Sequence, residues 1–272
     1  MIPKELCHYT KRETALEKIL FNKQIKLGRL GLTNDPKESK TRSHVIPSGS
    51  GYKLHTQFKN INTAVEKVSK DEWKVFCLAK SLPINLENTR ENVYRGLFAP
   101  GYSRPRMWAQ YGENHSGVCL IFDGERLSKN IESLKDKNKI VIHGPVSYDN
   151  YDKSISNHLD LSDIKNLGPL RAVRKYYYDN YEYFFLTKHP DWRDETEYRW
   201  LIHDTGKKKD EFVSIEGALA AILVGIDFPP VYEITLKELC KGLNISAGKM
   251  EWINGFPMPQ FGSIYNPNRK HG

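Results

Sequence analysis

The chain has 272 residues, of which 39% are hydrophobic and 27% charged, and this balance excludes a disordered protein. Its longest apolar stretch, 218–224, is far shorter than the ~20 residues that cross a bilayer, so a membrane-spanning protein is excluded as well. The formal net charge is +8, and the whole excess lies in residues 1–80, which hold 16 basic and 8 acidic side chains. This local charge either attracts a phosphate-bearing partner, nucleic acid or nucleotide, or serves solubility.

The N-terminal part of the chain predicts a strand, a helix and a second strand. Residues 5–10 have a short strand pattern, and apolar residues at helical spacing predict a helix over 11–22. Thr10 is its expected N-cap, with Glu13 as the capping-box partner. Residues 25–30 alternate apolar and polar side chains, which predicts the second strand. Asn34 and Asp35 are typical of a turn, and we expect a structural role for them near His8.

The middle of the chain alternates short elements with loops. Strands are predicted over 75–79 and 117–122, with a short helix over 107–111 between them. A loop over 83–105 is long enough to be functional or mobile. Residues 124–170 are predicted to form a polar insertion.

The last third predicts an aromatic-rich helix over 170–186, strands over 197–202 and 222–224, and a helix over 234–243. The tyrosines of the aromatic helix are expected to pack in the core rather than to stack on bases. A Pro- and Gly-rich tail begins at about residue 256. We predict an α+β fold in which residues 1–272 form a single domain.

Cysteine usage and the N-terminal sequence predict a cytoplasmic protein. The first ten residues have no apolar segment typical of a signal peptide. The four cysteines are far apart and form no Cys-x-x-Cys pair, which argues against a zinc ribbon, a redox motif and a disulfide framework. We expect buried thiols, no metal site and no membrane contact.

Three local patterns place reactive side chains at strand or helix ends: 7–10, 107–111 and 194–200. A neutral histidine such as His8 offers one donor and one acceptor, which suits a ribose hydroxyl, although a lone histidine is more often structural. Glu195 and Glu197 are expected on one strand face, either as paired acids or as a solvated face with Arg199 as partner. A P-loop, a dinucleotide-binding glycine fingerprint and a G-x-S-x-G motif are absent from the sequence.

Taken in order, these patterns resemble the ADP-ribosyltransferases of the His-Tyr-Glu class. The similarity comprises Leu-Cys-His-Tyr-Thr at 6–10, a helix ending in Ile-Leu, a second strand, a helix carrying Tyr111, and Glu197 opening a strand. The chain is also similar, over most of residues 6–202, to a poorly characterised bacterial family with the pattern HYT, NDP, MWxxY, GxxxxFD and ExExR. The resemblance implies a core of two packed, mostly antiparallel sheets flanked by helices.

The resemblance also implies NAD as the substrate and assigns residues to it. His8 would bind the adenine-side ribose, and backbone groups of Tyr9 would hold the nicotinamide carboxamide. Thr10 and Ser81 fall at further NAD-binding positions, and Tyr111 would stack on the nicotinamide ring. Tyr9 stands where the related enzymes have glycine, so the space for nicotinamide is an open question.

Glu197 is the expected catalytic residue. Cleavage of the nicotinamide bond leaves an oxocarbenium-like ribosyl cation, which a nearby carboxylate stabilises while it binds the ribose and deprotonates the nucleophile. Glu195 would activate the acceptor, and Tyr111 completes the catalytic set. For Arg199 there are two alternative partners, Glu195 and a phosphate group.

The sequence thus predicts an NAD-dependent ADP-ribosyltransferase that modifies nucleic acid, with RNA favoured over single-stranded DNA. Family analogy adds a bacterial toxin or phage-defence effector restrained by an inhibitory antitoxin partner. A protein acceptor, or a catalytically inactive nucleic-acid or nucleotide-binding module on the same fold, are the alternatives. The basic side chains expected to contact nucleic acid are Lys23, Lys26, Arg29, Arg104 and Arg106.

Overall fold

The computed structural model describes residues 1–40, 54–83, 95–136, 138–148, 159–206 and 210–269, with the backbone alone for 54–59. The protein is α+β, with a large mixed sheet, a small antiparallel sheet and helices packed around them. The strands are β1 (Glu5–Thr10), β2 (Gln24–Lys26), β3 (Gly28–Arg29), β4 (Trp73–Lys80), β5 (Val118–Asp123), β6 (Lys139–Pro145), β7 (Glu197–Asp204), β8 (Phe212–Ser214), β9 (Leu219–Val224), β10 (Ser246–Ile253) and β11 (Phe256–Tyr265).

The large sheet has nine strands in the order β11-β10-β9-β5-β1-β4-β7-β6, with β3 paired to β4 beside this path. Its described strand pairs are antiparallel except for β9 and β10, which run parallel. The strands β2 and β8 form the small antiparallel sheet. The first strand of the chain therefore lies in the middle of the large sheet, between β5 and β4.

Helices cover both faces of the large sheet, and none in the described ranges is long and apolar enough to span a membrane. Shorter helical turns include π-helical segments at Thr14–Leu20 and Lys67–Asp71 and 3-10 segments at Leu30–Leu32, Pro190–Glu195 and Pro230–Tyr232. The α-helices are α1 (Pro36–Ser39), α2 (Leu54–Glu66), α3 (Pro105–Gln110), α4 (Gly124–Glu132), α5 (Leu161–Leu167), α6 (Pro169–Asp179), α7 (Tyr181–Phe185) and α8 (Glu233–Leu243).

Buried side chains form three clusters around the large sheet. The largest contains Phe122 and Trp200 and lies under the π-helical segment Thr14–Leu20 and under α8. A second gathers around Trp73, where α2, α6 and α7 pack. Tyr177 is 1% exposed and belongs to this second cluster, which confirms that the aromatic-rich segment packs in the core. The third and smallest cluster, around Trp108, borders the site described below.

The strand pairing corrects the expectation of two packed sheets. β1 pairs with β5 along six residues and with β4 at two positions, so the strands on either side of it belong to one continuous sheet. The mostly antiparallel arrangement is as predicted. The difference arises because β1 contacts a neighbour on both edges, which a sequence pattern for one strand does not specify.

Two regions described above only by their composition contain regular secondary structure. The supposed polar insertion 124–170 contains α4, whose Leu127 and Ile131 are fully buried, and β6, the edge strand beside β7. The Pro- and Gly-rich tail forms β11, paired along β10. An amphipathic helix or an edge strand has a polar face, which lowers the average hydrophobicity of the segment without preventing regular structure.

Two local predictions about helices are also wrong. Thr10 is not a helix cap, because it ends β1 and pairs with Val118, and the Glu13 carboxylate accepts a hydrogen bond from Lys18 Nζ at 2.8 Å. The aromatic-rich segment forms two helices, α6 and α7, instead of one. Asn180 separates them with a non-helical backbone conformation, φ −122° and ψ 26°.

Gly225 has no side chain, and this allows its backbone to pack closely against the backbone of His115. A Cβ atom at Gly225 would lie 1.9 Å from the carbonyl oxygen of His115. We expect Gly225→Ala to lower the free energy of unfolding by ~1–3 kcal/mol through overpacking. Gly242, in α8, is the matched control, since a Cβ there meets no atom within 4 Å, and Gly242→Ala should stabilise the helix by ~0.5–1 kcal/mol. Urea denaturation of the two variants measures both changes, and equal effects would contradict the packing argument.

Candidate active site

The site lies where β1 and β4 separate. These strands pair at Leu6–Lys80 and Cys7–Ala79, whereas β1 pairs with β5 over its whole length and β4 pairs with β7 at seven positions. Beyond Cys7 the pairing of β1 with β4 stops, and a cavity opens between the two strands. Because the two strands separate, their unpaired edges and the side chains near them face a common cavity within the sheet.

The cavity has a volume of about 250 Å³. It is bounded by β1, β4 and the start of β7, by the residues that precede α1, and by the end of α3. Its lining combines a few polar groups with a mostly apolar wall, which is usual for small-molecule sites. The lining residues are Cys7, His8, Tyr9, Leu32, Thr33, Asn34, Cys77, Leu78, Ala79, Met107, Tyr111, Lys188, Glu195, Glu197 and Arg199.

His8 stands on β1 at the point of separation. Its Nδ1 lies 3.1 Å from the carbonyl oxygen of Cys77 on β4. A carbonyl oxygen only accepts, so Nδ1 carries the proton and Nε2 is the acceptor of the neutral ring. Burial lowers the pKa of His8, against the smaller opposing effect of the Cys77 carbonyl, so the ring is neutral near pH 7. The geometry leaves Nε2 as the nitrogen that can accept a hydrogen bond from a ligand hydroxyl.

Tyr111 follows α3 and reaches the carboxylate of Glu195. Its hydroxyl donates to Glu195 Oε1 at 2.5 Å, and the Asn34 side chain also hydrogen-bonds this hydroxyl. Burial and then the negative charge of Glu195 raise the pKa of Tyr111 well above its ordinary value. The phenol is therefore a donor that remains protonated, and its ring borders the cavity.

Glu195 enters the site from a turn and not from a strand. It ends the 3-10 segment Pro190–Glu195, and Thr196 follows in the left-handed region with φ 43°. The expected common strand face with Glu197 is therefore wrong, because β7 starts only at Glu197. The turn nevertheless brings both carboxylates to one ammonium group, since Lys188 Nζ lies 2.8 Å from each.

Glu197 is buried at the start of β7, opposite Ala79 of β4. Its Oε2 lies 2.8 Å from both Lys188 Nζ and Arg199 Nη2. Burial alone would raise the pKa of Glu197, but the charges of Arg199 and Lys188 outweigh burial and lower it to about 2. The Glu197 carboxylate is thus ionised throughout the neutral range.

Arg199 links the site to the buried carboxylate of Glu38 on α1. Its Nη1 donates to Glu38 Oε1 at 2.5 Å and to the carbonyl oxygen of Phe185 at 2.8 Å. The guanidinium is fully buried, and the predicted pairing with Glu195 is wrong, since Arg199 pairs with Glu197 and Glu38. Arg199 therefore holds the Glu197 carboxylate in place. Through Glu38 on α1 it also fixes the segment before α1, which carries Asn34.

These groups form a buried ion cluster of Glu38, Lys188, Glu195, Glu197 and Arg199. With every member ionised the cluster has a formal charge of −1, from three carboxylates and two cations. A negative, partly apolar cavity of this type favours a ligand or transition state that carries positive charge. Among the described residues, no group of three or more His, Cys, Asp or Glu side chains is arranged to hold a metal.

Two predicted NAD-binding residues do not line the cavity. Thr10 ends β1 within the sheet. Ser81 lies just past the end of β4, where its hydroxyl accepts from the Gly101 amide at 3.1 Å and lies 3.4 Å from Glu5 Oε1. Ser81 lies outside the cavity because β1 and β4 separate only beyond Cys7, on the side away from Ser81. Thr10 lies two residues past His8, where β1 pairs with β5.

Three of the predicted nucleic-acid-binding side chains lie on or near the small sheet. Lys23 pairs with Glu216 at 2.9 Å and Lys26 with Asp210 at 2.6 Å, while Arg29 is exposed on β3. The side chains of Lys23 and Lys26 are 45% and 53% exposed. The fold thus neutralises part of the basic N-terminal third with acids that are distant in the sequence.

The other two predicted nucleic-acid contacts lie at the start of α3, Arg104 just before it and Arg106 within it. Arg104 is 8% exposed and donates to the carbonyl oxygens of Asp194 and Lys80, so its assignment to a nucleic-acid backbone is wrong. Its guanidinium instead ties α3 to the turn before β7. Arg106 is about half exposed and lies 3.6 Å from Asp194 Oδ2, so it remains accessible to solvent.

Sequence reasoning missed Lys188 and gave Asn34 only a structural role. Lys188 is buried, although in the sequence it sits between an apolar run and His-Pro, where a surface lysine would be expected. A single cation beside an apolar run is a weak signal, and nothing local links it to Glu195. The turn that ends in Thr196 creates this link.

Residues 107–200 match the sequence model of a family described as "Protein of unknown function (DUF2971)". The match covers about a third of the chain and includes six residues that line the cavity: Met107, Tyr111, Lys188, Glu195, Glu197 and Arg199. It ends just after Arg199 and leaves out β1 with His8. No curated protein and no solved structure is significantly similar to the chain.

Removing Arg199 tests whether the buried carboxylates of the cluster depend on the guanidinium as their counter-charge. Arg199→Met leaves two buried carboxylates without their guanidinium, so we expect the free energy of unfolding to fall by ~3–5 kcal/mol. Arg106→Met is the control, because the ion pair that it removes is exposed and should contribute ~1 kcal/mol or less. Urea denaturation of both variants checks the difference, and a loss at Arg199 no larger than at Arg106 would refute it.

Proposed function

We propose that the protein is an NAD-dependent ADP-ribosyltransferase. The observation that supports this best is the convergence of His8, Tyr111, Glu195 and Glu197 on one cavity, although they span 190 positions of the sequence. The resemblance to the His-Tyr-Glu class assigned roles to these four residues. Their meeting in one cavity is the spatial condition that those roles require.

The state of His8 fits a ribose-binding role. With Nδ1 donating to Cys77, the neutral ring presents Nε2 as an acceptor, which suits a hydroxyl donor on a sugar. Because this hydrogen bond already fixes the tautomer and orientation of the ring, His8 needs no further ordering when a ligand binds. His8 is therefore proposed to bind and orient a ribose of NAD.

The charge of the cluster fits the proposed bond cleavage. The nicotinamide ring of NAD is cationic, and the ribose becomes oxocarbenium-like as the ring leaves. Glu197, ionised with a pKa of about 2, is a strong candidate to stabilise this charge and a poor candidate to accept a proton. We assign charge stabilisation to Glu197 and proton acceptance to Glu195.

The proposed step exchanges one bond at the anomeric carbon for another. The bond from C1′ to the nicotinamide nitrogen breaks, and its electron pair leaves with neutral nicotinamide. An acceptor oxygen or nitrogen then bonds to C1′, and the proton that it loses passes to Glu195 and on to solvent. The donor hydrogen bond from Tyr111 to Glu195 holds this carboxylate in place for the transfer.

Tyr9, in the place of a glycine, does not argue against the proposal. Its hydroxyl donates to the carbonyl oxygen of Gly101 at 2.8 Å, and its ring packs edge-on against Trp108 with centroids 5.1 Å apart. The bulk of the side chain is thereby anchored in the core cluster around Trp108, although Tyr9 also contributes to the cavity wall. The cavity of about 250 Å³ is below the usual ~300–1,000 Å³ of ligand pockets, so it would enclose only part of a dinucleotide.

For the acceptor, we propose nucleic acid, with RNA ahead of single-stranded DNA. The support is the basic N-terminal third, in which Lys23, Lys26 and Arg29 remain accessible despite two ion pairs. These pairs reduce the local positive field. A protein acceptor is the second candidate, favoured by the same ion pairs.

Glu197→Gln tests the reaction. If the carboxylate stabilises the ribosyl cation, its loss should slow nicotinamide release from NAD by ~100-fold or more. Release is measured by chromatography with RNA, single-stranded DNA or protein as the acceptor. Glu238→Gln, which removes an exposed carboxylate from α8, should leave the rate unchanged.

Three results would decide against parts of this proposal. A wild-type protein that binds NAD but releases no nicotinamide with any acceptor would indicate an inactive binding module. Full activity in Glu197→Gln would refute its catalytic role. Label transferred from NAD to protein and not to nucleic acid would support a protein acceptor.

The acceptor proposal has its own test in charge reversal. Changing Lys23, Lys26 and Arg29 together to glutamate should weaken RNA binding, and the loss should shrink as salt rises, because phosphate contacts are screened. NAD binding should be unaffected, since none of the three lines the cavity. Equal RNA affinity of the variant and the wild type, measured by fluorescence anisotropy at low salt, would remove the nucleic-acid argument.

A further inference from the structure

We propose that Lys188 is a positioning residue that holds the two carboxylates of the site, Glu195 and Glu197, in their reactive places. The inference rests on the proposed function for its effect on turnover. Its effect on the Glu197 carboxylate does not depend on that function. Nothing in the sequence patterns assigned a role to Lys188.

Lys188 lies between the two carboxylates of the site. Its Nζ lies 2.8 Å from Glu195 Oε2 and 2.8 Å from Glu197 Oε2, and all three side chains are at most 6% exposed. The two glutamates come from different elements, the 3-10 turn and β7. One buried ammonium therefore fixes the distance between two like charges that would otherwise repel each other.

The other cation of the cluster does not duplicate this contact. Arg199 pairs with Glu197 and Glu38 and donates to the Phe185 carbonyl. Within the described residues, Lys188 is the cation that contacts Glu195. Removing Lys188 would leave three buried carboxylates with one guanidinium, and the repulsion between Glu195 and Glu197 would have no counter-charge between them.

The chemistry of Lys188 excludes a role as nucleophile or base. Burial would lower the pKa of Lys188, but the charges of Glu197 and Glu195 outweigh it and raise this pKa well above the ordinary value. A permanently protonated ammonium has no lone pair to attack or to accept a proton. Lys188 therefore acts as a fixed charge through the carboxylates that it holds.

The test compares Lys188→Met with Lys188→Arg. Without the ammonium, the pKa of Glu197 should rise by ~1–3 units, because an opposite charge in direct contact shifts a carboxyl group by about this amount. The acid limb of the pH–rate profile should move to higher pH by the same amount, and nicotinamide release should fall ~100-fold through misplacement of Glu195. Lys188→Arg should retain the profile and most of the rate.

The first readout needs no substrate. Carbon-13 NMR of glutamate carboxyl groups, assigned with Glu197→Gln, follows the titration of Glu197 in each variant. Lys241→Met is the control, since Lys241 pairs at the surface with Glu238 and its loss should leave the Glu197 titration unchanged. An unchanged Glu197 titration in folded Lys188→Met would overturn the proposal.

The outcomes for the two proposals are separable. A wild type without nicotinamide release refutes the transferase, while the NMR titration still decides the role of Lys188. An active wild type, with Lys188→Arg as slow as Lys188→Met at an unchanged Glu197 titration, would overturn positioning in favour of direct contact with substrate. If circular dichroism shows that Lys188→Met is unfolded, the arginine variant decides: a preserved pH profile supports positioning, and a displaced profile refutes it.

Discussion

The buried ion cluster is the interaction on which the rest of the structure depends. Arg199 and Lys188 hold three carboxylates that come from α1, the 3-10 turn and β7, so elements distant in the chain share one set of charges. An ion pair inside a protein seldom stabilises the fold more than apolar packing would, because desolvation of the charges is costly. The cluster is therefore better explained by what it places in the cavity than by stability alone.

The cluster acts together with the separation of β1 from β4. A continuous ladder would close the space that His8 faces, whereas pairing at two positions keeps the strands in register and opens the sheet just beyond them. On one side of this opening stands a neutral histidine with a fixed tautomer, and on the other an ionised glutamate. The site thus joins a hydrogen-bond acceptor to a negative charge, which is the combination that the proposed reaction would use.

Much of the fold and part of the site followed from the sequence. The central strands were predicted because β-branched and other apolar runs of five or six residues have few alternatives. His8 within β1, Tyr111 after α3 and Glu197 at the start of β7 were predicted site residues, and all three line the cavity. The contact between Lys188 and Glu195 could not be predicted, since the position of Glu195 depends on a left-handed turn at Thr196. Ser81 lies past the end of β4 and outside the cavity, because a sequence position does not show which side of a strand end faces the cavity. Arg104 is buried and donates to backbone carbonyls, and its burial also could not be read from the sequence.

The family match has a consequence for how the molecule could be divided. Within residues 107–200, β5 has neither of its neighbours, because β1 and β9 lie outside that span, and β7 keeps only the edge strand β6. A fragment cut to the matched segment would hold Tyr111, Lys188, Glu195 and Glu197 without a sheet to carry them. The segment that matches the family model is thus not an autonomous folding unit.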